Sequence, residues 1–421
     1  MVKQTVTPMP LPRALSLVAG ALFAALVLYR ALFHAAPITA RNALHVELMK
    51  QLGSAAGVEE ALQEELISSG AYRSAGAAAF HMGRYEEAQA LLARAVEQEP
   101  DDSVARYLSG WSAYTLGARE EAIALWNSAR PEEIATGFAR RADQAFFVGD
   151  PAQTVEYSEL ALTLNPRLST AHYQLGRAYA LQGQWEQAIS SYERGLEFGG
   201  RSSLRSSIYR ALGRAHVALD DQEAAAGAFE QAVALEPYIY IARLDLGDQY
   251  IRLERYEDAV AQLETALSIN AEDARAYIMI GDALVQQGNA ELAESWYRRA
   301  IEAAPATGRA EYALGEFLLA EGRVEEAIVH LEQAIQRGWT YYWVWIDLGR
   351  AYRAAGRLED AVRAYSSLAE AEGRSERAAR SWVTVAQLYT EMGNQPAAAE
   401  TWQKVLEIDP QNPQALEATG E

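Results

Sequence analysis

The chain has 421 residues, half of them apolar, and it carries a formal net charge of −20 with no cysteine. This much negative charge repels phosphate backbones, so the composition argues against binding of nucleic acid. The absence of cysteine excludes disulfides, thiolate metal sites, cysteine nucleophiles and lipid modification of an N-terminal cysteine.

The first predicted element is an apolar segment near the N-terminus. Residues 14–29 carry no charge, and the apolar run continues past Arg30 to residue 36. About 20 apolar residues span a hydrocarbon core of about 30 Å, and an arginine side chain can reach the interface. We therefore expect residues 1–36 to form a short tail and a retained transmembrane anchor, residues 14–36. A cleaved signal peptide is an alternative, although "FHAAP" and "ITA" match a cleavage site poorly, and a buried soluble helix is a third.

Basic residues on the two sides of this segment predict its orientation. Lys3 and Arg13 precede it, whereas Arg30 and Arg41 lie at its end or beyond it. With the α-amine, the short tail has a small excess of positive charge, which favours the cytoplasmic side. We therefore expect a single-pass protein of the cell membrane with an extracytoplasmic soluble domain. Residues 37–68 carry helical apolar spacing and are predicted to be a helical linker or cap.

A period of 34 residues runs through the rest of the chain. It is carried by glycines, by an alanine twelve residues after each of them, and often by a proline that follows. The glycines that carry it are Gly76, Gly110, Gly176, Gly213, Gly247, Gly281, Gly315 and Gly349, with a slip of two residues before Gly176 and three extra residues before Gly213. One unit shows the whole pattern: Tyr277, Ile280, Gly281, Leu284, Ala293, Tyr297, Ala300 and Pro305.

This pattern resembles the tetratricopeptide repeat (TPR) family, whose unit is a 34-residue helix–turn–helix. The resemblance implies an all-α fold, a right-handed α-solenoid of about ten TPR hairpins over residues 69–412, preceded by the transmembrane helix and followed by a tail, residues 413–421. The predicted units begin near residues 69, 103, 135, 169, 206, 240, 274, 308, 342 and 379. The third unit is degenerate, with Ala142 in the place of glycine, and three extra residues precede the fifth unit ("SLR") and the tenth ("ERA").

An aromatic segment, residues 339–345, lies at the start of the ninth unit. In the family register Trp345 takes a core position, while Trp339, Tyr341 and Tyr342 are predicted to pack between hairpins. Trp343 falls on a helix position that lines the concave groove in the family. Its expected role is either partner binding or a contact between units.

The family resemblance also identifies the side chains that face the groove, where partners bind. Along the successive repeats, these side chains are first aromatic, then basic, then acidic and then basic again. This separation of charge suits a charged, extended partner. The predicted groove residues are Tyr107, Trp111, Tyr114, Tyr173, Arg177, Arg210, Arg214, Asp248, Asp282, Tyr312, Glu316, Trp343, Ile346, Arg350 and Arg353. A plain solvated helix face is the alternative. The lysine and asparagine pattern of the family's carboxylate clamp is missing.

No catalytic pattern occurs in the sequence. It has no phosphate-binding glycine loop and no G-x-S-x-G. Asp248, Asp282 and Glu316 could at most form a weak oxygen-ligand site, so no metal and no cofactor are expected.

These features predict a non-enzymatic, membrane-anchored bacterial scaffold that assembles or stabilises a membrane-associated protein complex. The alternative is a TPR component of a secretion or glycan-export machine that binds a polymer.

Overall fold

The structure is a computed structural model that describes residues 69–420, and within this range it contains α-helices and no β-strand. The predicted anchor, residues 14–36, and the predicted linker, residues 37–68, lie outside the described residues. Within residues 69–420, no helix combines the length and the apolar character that a membrane span requires.

Twenty-one helices follow one another in the described part of the chain. They are α1 (Ser69–His81), α2 (Tyr85–Gln98), α3 (Ser103–Thr115), α4 (Arg119–Asn127), α5 (Pro131–Phe147), α6 (Pro151–Leu164), α7 (Ser169–Leu181), α8 (Trp185–Glu197), α9 (Ser202–Ala218), α10 (Gln222–Leu235), α11 (Tyr240–Arg252), α12 (Tyr256–Ile269), α13 (Ala274–Gln286), α14 (Ala290–Ala303), α15 (Gly308–Ala320), α16 (Val324–Gln336), α17 (Tyr342–Ala354), α18 (Leu358–Glu372), α19 (Glu376–Glu391), α20 (Gln395–Ile408) and α21 (Pro413–Thr419).

The first twenty helices form ten consecutive pairs, and each pair is joined by a turn of three residues. Such a short connection places two helices side by side and antiparallel. The predicted all-α architecture of repeated hairpins is therefore confirmed for the described residues. The residues assigned to the C-terminal tail contribute the short helix α21, which buries Ala415 against the last hairpin.

Close packing inside a pair depends on a glycine in the first helix and a large side chain in the second. A Cβ atom at Gly247 would lie 2.7 Å from Leu263 Cγ, and one at Gly315 would lie 2.9 Å from Leu331 Cγ. A side chain at these glycines would force the helices apart. Eight of the ten pairs have such a glycine, and in each of them the large residue follows it by sixteen positions: Gly76–Leu92, Gly110–Trp126, Gly176–Tyr192, Gly213–Phe229, Gly247–Leu263, Gly281–Tyr297, Gly315–Leu331 and Gly349–Tyr365.

The three-residue turns place their central residue in the left-handed region. Gly183, Gly288 and Gly322 have φ values of 73°, 79° and 74°. Asp220 and Glu254 occupy the same turn position with φ values of 61° and 58°. Two turns of the array therefore use a conformation that disfavours residues with a Cβ atom.

Three predicted repeat starts are wrong by a few residues. The third unit begins at Pro131 and not near 135, because proline fits the first position of a helix and the acidic Glu132 and Glu133 suit the first turn. The extra residues "SLR" and "ERA" lie inside α9 and α19, which begin at Ser202 and Glu376. These insertions lengthen the first helix of a pair.

The described chain divides into two compact units. Unit 1 holds residues 69–148 and 156–171, and unit 2 holds residues 149–155 and 172–420. Each unit has its own fully buried side chains. They include Trp126, Phe138 and Leu160 in unit 1, and Leu263, Ile280 and Leu314 in unit 2.

Candidate partner-binding surface

In unit 1, the predicted groove residues of α3 surround an aromatic cluster. The Trp111 ring lies 5.5 Å from the Trp126 ring and 5.2 Å from the Phe138 ring, and Trp111 is only 9% exposed. Tyr107 is partly buried, and its carbonyl oxygen accepts a hydrogen bond of 3.1 Å from Trp126 Nε1. Trp111 therefore packs mainly as a core residue, and only its edge is left for a partner.

A cavity of about 360 Å³ lies between α3 and α5 in this unit. Its walls combine apolar side chains with arginines, and they include the small Gly137. The lining residues are Ser103, Val104, Tyr107, Trp111, Arg130, Glu133, Ile134, Gly137, Phe138, Arg140 and Arg141. Tyr107 and Trp111 were predicted from the sequence, whereas the residues of α5 were not, because the third repeat departs from the family pattern and no groove residues were assigned to it.

Tyr114, the third predicted residue of unit 1, donates a hydrogen bond to the Glu156 carboxylate. Burial raises the pKa of the Tyr114 hydroxyl, and the hydrogen bond and negative charge of Glu156 raise it further. Tyr114 therefore remains a neutral donor whose hydroxyl already has an acceptor within unit 1.

In unit 2, three of the predicted groove residues meet around Tyr192, a buried residue that was not among the predicted groove residues. The Tyr173 and Tyr192 rings lie 6.1 Å apart, and Arg177 Cζ lies 5.3 Å from the centre of the Tyr173 ring. Burial raises the pKa of the Tyr192 hydroxyl, while the positive charges of Arg177 and Arg214 act in the opposite direction. The basic section predicted from the sequence is thus assembled on an aromatic base.

Asp245 neutralises part of this basic section. Arg210 Nη2 lies 2.9 Å from Asp245 Oδ2, and Arg214 Nη2 lies 3.1 Å from Asp245 Oδ1. The Arg210 and Asp245 side chains are 20% and 16% exposed, whereas that of Arg214 is 58% exposed. Arg214 therefore remains the arginine of this cluster that a partner can reach.

The acidic section is a row of carboxylates from consecutive repeats. Asp248 is exposed and pairs with Arg252 at 2.9 Å, and Asp282 accepts a hydrogen bond of 2.7 Å from Tyr297. The side chains of Asp282 and Glu316 are also exposed, although neighbouring atoms remove part of their hydration. This partial burial raises the pKa of both carboxyls, and charge repulsion adds to the rise, from Asp248 on Asp282 and from Asp347 on Glu316. The three carboxylates therefore share one charged surface.

Two contacts between neighbouring repeats obey the same spacing. Tyr312 donates a hydrogen bond of 3.0 Å to Asp347, thirty-five residues further on, and Arg210 has the same separation from Asp245. Burial raises the pKa of the Asp347 carboxyl, while the hydrogen bond from Tyr312 and the charge of Arg350 lower it. Asp347 thereby extends the acidic row, although it was not among the predicted groove residues.

The last predicted groove residues lie on α17. Trp343 is 64% exposed, and its ring meets the Tyr342 ring edge to face at 5.2 Å. Arg350 lies 3.5 Å from Asp347, and Arg353 lies 2.8 Å from Glu391. Ile346 is partly buried against the core. Trp343 and Arg350 are therefore the most accessible side chains at this end of the row.

The aromatic segment before α17 divides between core and surface. Trp339 and Trp345 are partly buried against the core, and Tyr342 is partly buried with Arg377 over its ring at 5.2 Å. The prediction that Tyr341 packs between hairpins is wrong, because it is 61% exposed. Its backbone is extended, and the centre of its ring lies 4.5 Å from that of the Trp339 ring.

No metal site emerges from the part of the chain that the structure describes. Within it, no three histidine, aspartate or glutamate side chains are arranged to hold an ion.

Comparison with known proteins agrees with the hairpin architecture. Four models of the tetratricopeptide repeat together match residues 79–133 and 167–412, which is more than half of the chain. No curated protein matches the chain.

Several solved structures resemble parts of the chain. The MamA protein is 26% identical, with a TM-score of 0.37, over 41% of this chain and 92% of its own. A tetratricopeptide repeat protein from Parabacteroides merdae is 15% identical, with a TM-score of 0.43, over 60% of this chain and 98% of its own. Yeast Tom70 is 13% identical, with a TM-score of 0.46, over 90% of this chain and 92% of its own. Because the repeat models match more than half of the chain and its helices form repeated hairpins, the chain belongs to the tetratricopeptide repeat family.

Proposed function

We propose that the chain is a non-enzymatic scaffold, anchored to a bacterial membrane, that assembles or stabilises a membrane-associated protein complex. Tetratricopeptide repeats mediate protein–protein interactions, and residues 69–408 of this chain form ten consecutive helix pairs on which to display side chains to a partner. Membrane attachment rests on the sequence of residues 14–36, whose uncharged run suits a hydrocarbon core.

The observation that carries the proposal is the acidic row of unit 2, formed by Asp248, Asp282, Glu316 and Asp347. Three of these residues are exposed. Partial burial raises the pKa of Asp282 and Glu316, and repulsion from neighbouring carboxylates adds to the rise. A partner that brings arginine or lysine side chains to this row relieves the repulsion. Because the carboxylates belong to successive repeats, they suit an extended segment of protein.

Affinity purification from solubilised membranes, followed by mass spectrometry, tests the proposal. We expect specific proteins to co-purify with the wild-type chain and to be lost with the double reversal Asp248→Arg/Glu316→Arg. The matched control is Glu264→Arg/Glu302→Arg, which makes the same change of charge at exposed positions on the second helices of two pairs. If the same proteins still co-purify with both variants, the partner binds a surface other than the acidic row. Co-purification of a polysaccharide and no protein would favour the polymer-binding alternative.

The anchor has a separate test. Deletion of residues 14–36 should release the chain into the soluble fraction, whereas the full chain should resist alkaline extraction from membranes. Its intact mass should show no processing beyond the loss of Met1. A mature N-terminus between residues 37 and 41 would refute the retained anchor.

A further inference from the structure

The cavity between α3 and α5 in unit 1 has a chemical character that differs from that of the acidic row. Val104, a large apolar residue, is 51% exposed there and Tyr107 is partly buried, while the buried rings of Trp111 and Phe138 form the floor beneath them. Gly137 faces open space, since a Cβ atom on it would meet nothing within 4 Å. The cavity is thus an open pocket with an apolar floor, large enough for one or two side chains of a partner.

The charged residues of the pocket are mainly arginines. Arg130 lies 3.2 Å from Glu133, so that pair neutralises itself. Arg140 and Arg141 are both exposed, and neither forms an ion pair within residues 69–420. The pocket therefore keeps two uncompensated positive charges in a chain whose net charge is −20.

Arg141 is held in a geometry that suits recognition of a carboxylate. Its Cζ atom lies 4.3 Å from the centre of the Trp111 ring. A guanidinium that packs on an aromatic face keeps the N–H groups at its edge available, and these groups bind a carboxylate in bidentate fashion. The stacking also restricts the side chain before a ligand arrives, which lowers the entropy lost on binding.

We propose that this pocket binds an acidic segment of a partner protein, in which a large apolar side chain neighbours an aspartate or glutamate. The apolar side chain occupies the space beside Gly137 and Phe138, and the carboxylate accepts hydrogen bonds from Arg141 and Arg140. The proposal rests on the scaffold function and names the partner chemistry of a second surface. It also means that unit 1 and the acidic row of unit 2 select segments of opposite charge.

Selection from a random dodecapeptide display library on the purified full chain tests this assignment. The peptides enriched by the wild-type chain should carry aspartate or glutamate next to leucine, phenylalanine or tryptophan. The same selection on Arg140→Glu/Arg141→Glu should lose this class of peptide. Enrichment without acidic residues, or equal enrichment on the variant, would overturn the proposal.

Fluorescence anisotropy with one enriched peptide then measures the contribution of each pocket element. Loss of charge-assisted hydrogen bonds predicts an affinity lower by about tenfold or more for Arg140→Glu/Arg141→Glu. Gly137→Leu fills the pocket without changing charge, and it should abolish binding while the thermal midpoint stays equal or rises, since leucine favours a helix more than glycine does. Arg194→Glu/Arg201→Glu, at exposed arginines of unit 2, makes the same change of charge and should leave binding unchanged.

The two proposals fail in distinguishable ways. If proteins co-purify with the wild-type chain and all of them remain with Gly137→Leu and with the double arginine reversal, the pocket assignment is wrong and the scaffold function stands. If no protein co-purifies with the wild-type chain, the scaffold function fails. If peptide binding falls equally with Arg140→Glu/Arg141→Glu and with the unit 2 control, and is unaffected by Gly137→Leu, it reflects charge alone, which would also refute the pocket.

Discussion

A Cβ atom on Gly281 would lie 2.6 Å from Cε1 of Tyr297, which is closer than two non-bonded carbon atoms can approach. Gly281 is on α13, and Tyr297 is on the next helix of the same pair. Because both residues are buried, neither helix can yield without opening the hairpin. We expect Gly281→Leu to lower the free energy of unfolding by about 2–4 kcal/mol through overpacking.

Urea denaturation followed by circular dichroism measures this change. The matched control is Gly227→Leu on α10, where a Cβ atom would meet nothing within 4 Å. The control should keep or increase stability, because glycine is a poor helix former. Equal stability of the two variants would show that the close contact at Gly281 does not limit the packing.

Glu254 adopts a φ value of 58° in a turn where most repeats place glycine. The left-handed conformation costs a residue with a Cβ atom about 1 kcal/mol or more. We therefore expect Glu254→Gly to raise the thermal midpoint in differential scanning calorimetry. Glu254→Ala, which removes the carboxylate and keeps the Cβ atom, should give no such increase. A rise with alanine would indicate that charge, and not backbone strain, dominates at this turn.

Much of the hairpin architecture could be predicted from the sequence, because it depends on spacing along the chain. The 34-residue period of glycines fixed the register, and the contact between Gly281 and Tyr297 follows from it. The left-handed glycines of the turns follow from local backbone chemistry in the same way. Such features need no knowledge of the three-dimensional neighbours of a residue.

Features that depend on contacts between repeats could not be predicted in this way. Asp245 binds two arginines of the preceding repeat, and no single repeat carries a sign of that pairing. Arg140 and Arg141 were missed because Ala142 replaces the glycine that marks the repeat, and no groove residues were assigned to this degenerate unit. Pro131 followed by two glutamates was the signal that would have corrected the helix start.

Asp245 should be coupled more strongly to Arg210 than to Arg214. Both arginines donate to its carboxylate, but Arg210 is 20% exposed and Arg214 is 58% exposed, so water screens the second pair more. Double-mutant cycles with Asp245→Asn and each Arg→Gln substitution should give a coupling of about 1–2 kcal/mol for Arg210 and about 0.5 kcal/mol or less for Arg214. Equal couplings in urea denaturation would contradict this difference in burial.

The acidic row predicts an unusual response of stability to pH. Partial burial and the charge of Asp248 raise the pKa of Asp282 in the folded chain, so the native state holds its proton more tightly than the unfolded state does. The ionised carboxylate therefore opposes folding at neutral pH, and this penalty disappears as the pH falls through the raised pKa. Asp282→Asn should then be more stable than the wild type at pH 7 and equal to it at acid pH.

Glu294 supplies the comparison of opposite sign. The hydrogen bond from Arg323 lowers the pKa of the Glu294 carboxyl, and a second one from Arg298 has the same effect. The ionised form therefore stabilises the fold above the ordinary carboxyl pKa, and this contribution is lost as the pH falls. Glu294→Gln should be less stable than the wild type at pH 7, with a difference that shrinks in acid. Urea midpoints measured from pH 7 to pH 4 would reveal two difference curves of opposite sign, and curves of the same sign would refute the pKa directions.

Trp343 should contribute to partner binding and little to stability. It is 64% exposed and stands on α17 with Asp347, at the end of the acidic row. Exposed tryptophans at protein interfaces often carry a large share of the binding energy, so Trp343→Ala should lower the affinity for a co-purified partner by about tenfold. The free energy of unfolding should change by less than about 0.5 kcal/mol.

Tyr238→Ala, at an aromatic residue that is 85% exposed but lies in the turn before α11, is the control and should bind normally. Titration of the purified partner into each variant measures both affinities. If Trp343→Ala binds as well as the wild type while Asp248→Arg/Glu316→Arg does not, the partner contacts the carboxylate row and ends before it reaches α17.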